Sequence, residues 1–424
     1  MLSTPPTTMT CRTLFARPLA PRPTAPFPAT RCAIATTSFN RSRLLHTTTL
    51  VDAHAPTQIP PGSRTSKLPA LVFDIDGVLI QGGKVLPEAR RALAVVNGDN
   101  PRNQYIPHLY LTNGGGVTEE AKAAELAAKF GVPVRADQTV LSHTPMQDLA
   151  MQFRDKWVLA VGAEGMNGKR VLERYGFTKI VTPAEIHAWN PTIYPFGPTP
   201  QAGMVPTDIP DVTNIDFAAI LVLHDSRDWG TDLQIMVDVL RSPRGCLGDV
   251  PGAQSFAEQA KHGRRVMGPD ALDQIKTQHV PIYFSNPDFL WANAFPMPRF
   301  GQGALRTSLK AIWKELVSQD LVYQSYGKPE YLTYAYAFRR LHKEILRHPE
   351  LPASLTNNDN EYFEVYAVGD NPHADILGAN RHGWHSLLVR TGVYQAGTPA
   401  VTPTAVVDHV ESAVQLVWDR HFRS

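Results

Sequence analysis

The chain has 424 residues, 43% of them hydrophobic, which is material for about two to three domains with buried cores. Its 41 Lys and Arg nearly balance 39 Asp and Glu, so it lacks the basic excess of a nucleic-acid binder, and no apolar run reaches the roughly 18 residues of a membrane helix. Three cysteines, Cys11, Cys32 and Cys246, form no CxxC pair, which argues against a disulfide framework or a cysteine zinc site.

Residues 1–50 differ sharply from the rest. They are rich in Ser, Thr, Pro and Ala, carry six arginines (Arg12, Arg17, Arg22, Arg31, Arg41 and Arg43), and no acid occurs before Asp52. That is the composition of an organellar transit peptide, with the mitochondrial matrix as the leading destination and a Pro-rich disordered tail as the alternative. Removing six of the 41 basic residues and none of the 39 acidic ones leaves a net charge of −4. Residues 51–66 read as a linker.

The apolar run Leu71-Val72-Phe73 predicts a buried strand, and it ends in Asp74-Ile75-Asp76-Gly77, two carboxylates expected to lie close in space. Gly82 to Val85 reads as a turn. Pro87 to Val96 follows as a helix, with Ala89, Ala92, Leu93 and Val96 on its inward face. His108 to Leu111 is a second strand, closed by Thr112-Asn113-Gly114-Gly115-Gly116. The next helix, Thr118 to Phe130, has Thr118 as cap, Glu119 and Glu120 in its first turn and Gly131 as its stop. With a strand at Thr139 to Ser142, the βαβαβ rhythm predicts a parallel sheet.

A second α/β pattern follows, with strands at Trp157–Val161, Phe217–Leu223 and Pro281–Phe284 and helices at Gly168–Tyr175, Thr231–Arg241 and Gly301–Ser318. Residues 190–210 and 242–268, rich in Gly, Pro and polar side chains, read as surface elaborations. The first pattern resumes with a helix from Pro329 to Arg347, a strand at Glu364–Val368, a short helix to Arg381, a strand at Ser386–Val389 and a helix from Asp408 to Phe422. One α/β unit, residues 67–144 and 319–424, is therefore expected to be interrupted by another, residues 145–318.

Four segments carry candidate chemistry. Asp74 and Asp76 read either as a strand followed by an Asp-Gly turn or as a metal and acid-base site. A calcium loop is excluded because Val78 and Leu79 occupy positions that need an oxygen ligand and a glycine. Thr112 with its three following glycines suits a phosphate cradle, since bare backbone N–H groups can approach an anion, or a plain strand-to-helix turn. Lys328, ahead of Pro329, is either solvated or a fixed ammonium for a phosphate or carboxylate. Asp370 and Asp375, in Gly369-Asp370-Asn371-Pro372-His373-Ala374-Asp375, either cap a helix or join Asp74 and Asp76 around magnesium, which prefers oxygen donors. The histidines show no HxxxH or HExxH spacing.

Taken together and in this order, DxDGV at Asp74–Val78, Thr112-Asn113, Lys328 before a proline and GDxxxxD at Gly369–Asp375 resemble the four motifs of the haloacid dehalogenase superfamily. The long insertion resembles the α/β cap of its class IIA branch, to which Gly162-Ala163-Glu164-Gly165, Ser285-Asn286-Pro287-Asp288 and Gly301-Gln302-Gly303-Ala304 are also similar. Within that branch the chain from about Pro69 onward resembles the mitochondrial cat-eye-syndrome critical region 5 subgroup. The resemblance implies a Rossmann-like core with a parallel sheet and a large inserted C2-type cap, and magnesium-dependent hydrolysis of a small phosphorylated metabolite. It also implies roles. Asp74 is the nucleophile that becomes an aspartyl-phosphate, and Asp76 is the general acid and then base. Magnesium is held by Asp74, the carbonyl of Asp76 and Asp370, with Asp375 and Asn371 in support. Thr112, Asn113, Gly114 and Lys328 hold the phosphate. A homo-oligomer built through the cap is a further expectation, and neither nucleic acid nor a transmembrane segment enters it. Two competing functions are a catalytically weak mitochondrial binding or scaffold protein on the same fold and a DxD glycosyltransferase using a metal-nucleotide. The elaborations at 190–210 and 242–268 depart from the smaller class IIA enzymes.

Overall fold

The computed structural model describes residues 63–197, 211–247, 277–291, 295, 297–347 and 362–422. The expected transit peptide and most of the linker and of both surface elaborations lie outside the described residues. The chain divides into two units, Met1–Thr49 and Leu50–Ser424, and every element below belongs to the second.

Strand β1, Leu68–Phe73, is apolar on both faces because both are covered. Leu71 and Phe73 pack on one side with Ala89, Leu93, Val410 and Val414, while Ala70 and Val72 pack on the other with Tyr334, Ala337 and Leu341. The next strands, β2 (Ile80–Gln81) and β3 (Lys84–Val85), form a small antiparallel hairpin whose turn residues Gly82 and Gly83 both take positive φ. The helix Pro87–Val96, β4 (His108–Leu111), the helix Glu119–Phe130 and β5 (Thr139–Val140) then follow in the order the sequence predicts. Thr118 caps the second helix by accepting from the Ala121 N–H, and Gly131 ends it in the left-handed region.

The second sheet is built from β6 (Trp157–Val161), β7 (Ile180–Val181), β8 (Phe217–Val222) and β9 (Ile282–Phe284), with β10 (Leu290–Trp291) and β11 (Arg299–Phe300) as a separate hairpin and β12 (Tyr323–Ser325) at one edge. Its order is β12-β9-β8-β6-β7, all pairs parallel. The insertion therefore reaches past residue 318, where the sequence suggested its end. Tyr323 to Ser325 carry no apolar run, and only their pairing with β9 makes them a strand. Two further elements, β7 and the helix Pro183–Trp189, have no counterpart in the sequence reading, because a two-residue strand has no periodicity to detect.

The chain then returns to the first sheet through the helix Tyr331–Ile345, β13 (Phe363–Gly369), the helix Leu377–Arg381, β14 (His385–Val389), β15 (Ala405–Val407) and the helix Val410–Phe422. The finished order is β15-β14-β13-β1-β4-β5, again parallel throughout. With β13 and β4 flanking β1, the segments after all three leave the sheet at the same carboxyl edge. No helix among the described residues is long and apolar enough to cross a membrane.

The helix Trp229–Arg241 buries Asp232 in its first turn. Burial pushes that carboxyl up to about 7 from an ordinary 3.8; Ser226 offsets part of this and Asp228 adds to it. Between roughly pH 4 and 7 the folded state thus binds more protons than the unfolded state, and stability falls as pH rises. Asp232→Asn is expected to stabilise the protein at pH 8 by up to about 4 kcal/mol and to change little near pH 4. Urea unfolding of both proteins at the two pH values checks this, and equal differences at both would remove the buried charge as the cause.

Candidate active site

Asp74 directly follows β1, and its backbone N–H donates to Val368 O of β13 at 2.9 Å, which fixes where the side chain leaves the sheet. Its Oδ1 lies 2.5 Å from Lys328 Nζ, and the same ammonium lies 2.7 Å from Asp375 Oδ1. Asp375 is held in turn by the Asn371 N–H, which donates to its Oδ2 at 3.0 Å, while Asn371 Oδ1 accepts from the N–H groups of His373 and Ala374. Asp370 Oδ2 accepts from the Val393 N–H at 2.6 Å. Two glycines make room for Asp370. A Cβ on Gly77, whose φ is +84°, would come within 2.3 Å of Asp370 Oδ2, and one on Gly392 within 1.9 Å. Any side chain there displaces the carboxylate.

The loop after β4 is tied to both Lys328 and the second sheet through Asn113. Its Oδ1 accepts from the Lys328 N–H at 2.6 Å, and its Nδ2 donates to Lys328 O at 3.0 Å and to both carboxylate oxygens of Asp288 at 3.1 Å. Asp288 follows β9. Its N–H donates to Asn286 Oδ1, Asn286 Nδ2 donates back to Asn113 O at 3.2 Å, and the Asn286 N–H is received by Gln302 Oε1. Thr112 is buried, and its Oγ1 accepts from the Gly114 N–H at 3.0 Å.

Charge is concentrated here. Burial pushes the Asp74 carboxyl well above its usual range, and although Lys328 pulls it down, Asp375 and Asp370 push it up further. Asp370 is raised to about 6, chiefly by burial and by Asp375, against the Val393 N–H and Lys328. Burial opposes the ammonium of Lys328, but Asp375 and Asp74 outweigh it and hold its pKa above that of an ordinary lysine. One cation against three buried carboxylates leaves an excess of negative charge. Ligand oxygens of Asp74, Asp370 and Asp375 lie within 4.8 Å of one another, an all-oxygen set that fits a hard divalent cation such as magnesium. Such an ion would neutralise the excess and favour the ionised forms.

Asp74, Lys328, Asp370, Asp375 and Asn113 thus converge, and Thr112 and Gly114 stand at the adjoining strand end. The carboxylate of Asp76 does not join them. Asp76 is exposed, bridged through its backbone to Ile80 at the turn into the hairpin. The expectation that both carboxylates lie together fails because the chain leaves the strand at Asp74, so the side-chain alternation that would align residues two apart no longer holds. Paired chelation of a nucleotide-bound metal by both side chains of the DxD segment is not what this geometry offers. Asp375 moves the other way, from a supporting place to one within the carboxylate cluster. The bridge from Asp288 to Asn113 was not assigned from sequence; the Asn286-Pro287-Asp288 segment was the signal, since an Asn and an Asp flanking a proline after a strand form a rigid polar turn.

Family models for the haloacid dehalogenase-like hydrolases match residues 71–178, and a HAD-hydrolase-like model matches residues 325–413. The chain is 37% identical over 371 residues to a mitochondrial hydrolase of Saccharomyces cerevisiae, covering 84% of this chain and 97% of that protein. It is 35% identical over 355 residues to a cardiolipin synthase (CMP-forming) and mitochondrial hydrolase fusion protein of Schizosaccharomyces pombe, covering 82% of this chain and 53% of the fusion. Among solved structures, a hypothetical protein of Pyrococcus horikoshii OT3 superposes with a TM-score of 0.50 at 18% identity, covering 82% of this chain and all of that one. A possible sugar phosphatase of the HAD superfamily from Cytophaga hutchinsonii does so with a TM-score of 0.50 at 15% identity, covering 81% and 94%. These two likenesses concern the fold. With the sequence relatives, the two matched segments, the first running into the insertion and the second starting at its edge strand, and the converging strand ends in hand, the chain belongs to the haloacid dehalogenase-like hydrolases.

Proposed function

We propose that this hydrolase is a magnesium-dependent phosphatase of small phosphate monoesters that works through an aspartyl-phosphate on Asp74. The observation that carries it is the Asp74 carboxylate, fixed at the sheet edge, 2.5 Å from a buried ammonium and inside an all-oxygen cluster. Asp74 attacks phosphorus in line, forming the new P–O bond as the ester oxygen departs. Asp76, at the surface and in exchange with water, protonates that oxygen and later takes a proton from the water that cleaves the aspartyl-phosphate. Thr112 Oγ1 and the N–H groups at Asn113 and Gly114 hold the phosphoryl oxygens, and Lys328 balances their charge. Magnesium, held by Asp74, Asp370 and Asp375 with the Asp76 carbonyl as a further donor, would add charge neutralisation at the phosphoryl group.

Phosphate release from p-nitrophenyl phosphate, with magnesium and with a chelator, tests the proposal; equal rates in the two would overturn the metal dependence. Thr112→Ala is expected to raise the barrier by about 2.7 to 4 kcal/mol, a rate loss of roughly 10² to 10³, as for loss of one preorganised donor. Single-turnover kinetics measure it, and an unchanged rate constant would take Thr112 out of the phosphate site.

A mitochondrial location, in the matrix, belongs to the same proposal. It is supported by the names of both sequence relatives and by the acid-free, arginine-bearing first fifty residues. Fusion of residues 1–62 to a fluorescent reporter tests it, with diffuse cytosolic signal as the contrary result.

A further inference from the structure

We infer that the seam between the glycine turn after β4 and the inserted sheet is the leaving-group subsite, and that it admits uncharged, hydroxyl-bearing leaving groups while rejecting anionic ones. Resting on the phosphatase proposal above, this names the substrate class of that site.

Buried polar side-chain atoms without a protein partner gather at this seam. Ser142 Oγ, His143 Nε2, His224 Nδ1 and Asp225 Oδ1 are each shielded from solvent and make no hydrogen bond within the described residues. Such atoms are costly unless something satisfies them, and their gathering in one place is informative. They come from separate elements. Ser142 and His143 follow β5 and are fully buried, whereas His224 and Asp225 follow β8 of the insertion. The glycines bring Ser142, His143 and His224 together: a Cβ on Gly115 would lie 2.9 Å from Ser142 Oγ and 2.8 Å from His143 Cδ2, and one on Gly116 would lie 2.4 Å from His224 Cδ2. Ser142 N–H donates to Gly114 O at 3.1 Å, which ties the seam to the turn proposed to hold phosphate.

The donor and acceptor pattern sets the chemistry. Tyr175 Oη donates to Glu119 Oε1 at 2.6 Å and lies 2.7 Å from His143 Nδ1, and burial and His224 lower the pKa of the His143 ring to about 3 against the Val117 backbone, so the ring is neutral. Asp225 Oδ1 is a bare acceptor, and the Ser142 hydroxyl can donate or accept. Asp225 and Asp288 stand at the ends of adjacent strands β8 and β9; Asp288, whose carboxyl is raised chiefly by burial and also by Asp225, touches Asn113. Of the cations nearby, Lys328 is engaged by Asp74 and Asp375, and Arg227 is exposed beside His224. A hydroxylated leaving group supplies the donors these acceptors lack. A leaving group bearing a carboxylate or second phosphate meets two carboxylates instead.

The test compares kcat/KM for glycerol 2-phosphate, 2-phosphoglycolate and p-nitrophenyl phosphate in the wild type, Asp225→Asn and Ser142→Ala, with melting curves as a folding control. The wild type is expected to prefer glycerol 2-phosphate to 2-phosphoglycolate by more than about tenfold, and Asp225→Asn to shrink that ratio by about tenfold. Ser142→Ala is expected to lower the glycerol ester relative to p-nitrophenyl phosphate. A wild type without this preference, or variants that slow all three esters alike, overturns the subsite. Thermal shifts of the Asp74→Asn protein with the same two aliphatic esters separate the proposals. Preferential binding without wild-type turnover sinks the phosphatase reading alone, and turnover without preferential binding sinks the subsite alone.

Discussion

Asp74→Asn is expected to abolish phosphate release, by at least about 10⁴-fold, while leaving the protein folded. Asparagine keeps the size of the side chain, so the packing at the end of β1 survives, and the backbone N–H still donates to Val368 O. The ammonium of Lys328 keeps Asp375 at 2.7 Å as its partner. What disappears is the oxygen nucleophile. Burial and two neighbouring carboxylates already disfavour charge at this position, so the neutral side chain does not by itself destabilise the fold. Phosphate release under saturating magnesium, together with circular dichroism, measures both halves of the expectation. A variant keeping a tenth of the wild-type rate would rule out a covalent aspartyl-phosphate.

Lys328→Met is expected to cost about 3 to 5 kcal/mol of stability as well as activity, because it removes a cation set directly between the buried carboxylates of Asp74 and Asp375. Asp74, Asp370 and Asp375 then face one another without a counter-ion. Two remedies remain, protonation and a bound cation. The variant should therefore gain stability on acidification from pH 8 toward 5.5, and millimolar magnesium should raise its melting temperature more than it raises that of the wild type. Differential scanning fluorimetry across pH and magnesium concentration reads both. Wild-type stability in the absence of metal would deny Lys328 its place as counter-ion.

The parallel core was legible because its evidence is local. Apolar runs such as Leu71 to Phe73 need no partner to be recognised, and Thr118 and Gly131 punctuate their helix at both ends. The convergence of Asp74, Thr112 and Asp370 was also legible, since residues after parallel strands share one edge of the sheet, whereas Lys328 comes to it from β12 of the inserted sheet. What depends on pairing or on a turn was not. Tyr323 to Ser325 become a strand only against Ile282 to Phe284, and Asp76 leaves its expected place beside Asp74 because the chain turns there. The clasp from Asp288 to Asn113 spans 175 positions of sequence, a distance over which no periodicity speaks.

That clasp makes the insertion something other than an interchangeable lid. Asn113 spends one face of its amide on the backbone of Lys328 and the other on Asp288, so the loop proposed to hold phosphate and the strand end of the inserted sheet are registered by a single side chain. A chimera that exchanged the whole insertion for one from a relative would inherit a misaligned phosphate loop unless the turn from Asn286 to Asp288 were kept. If the proposed subsite holds, substrate range is free to drift along the seam at Ser142 and Asp225 but is tethered at Asn113.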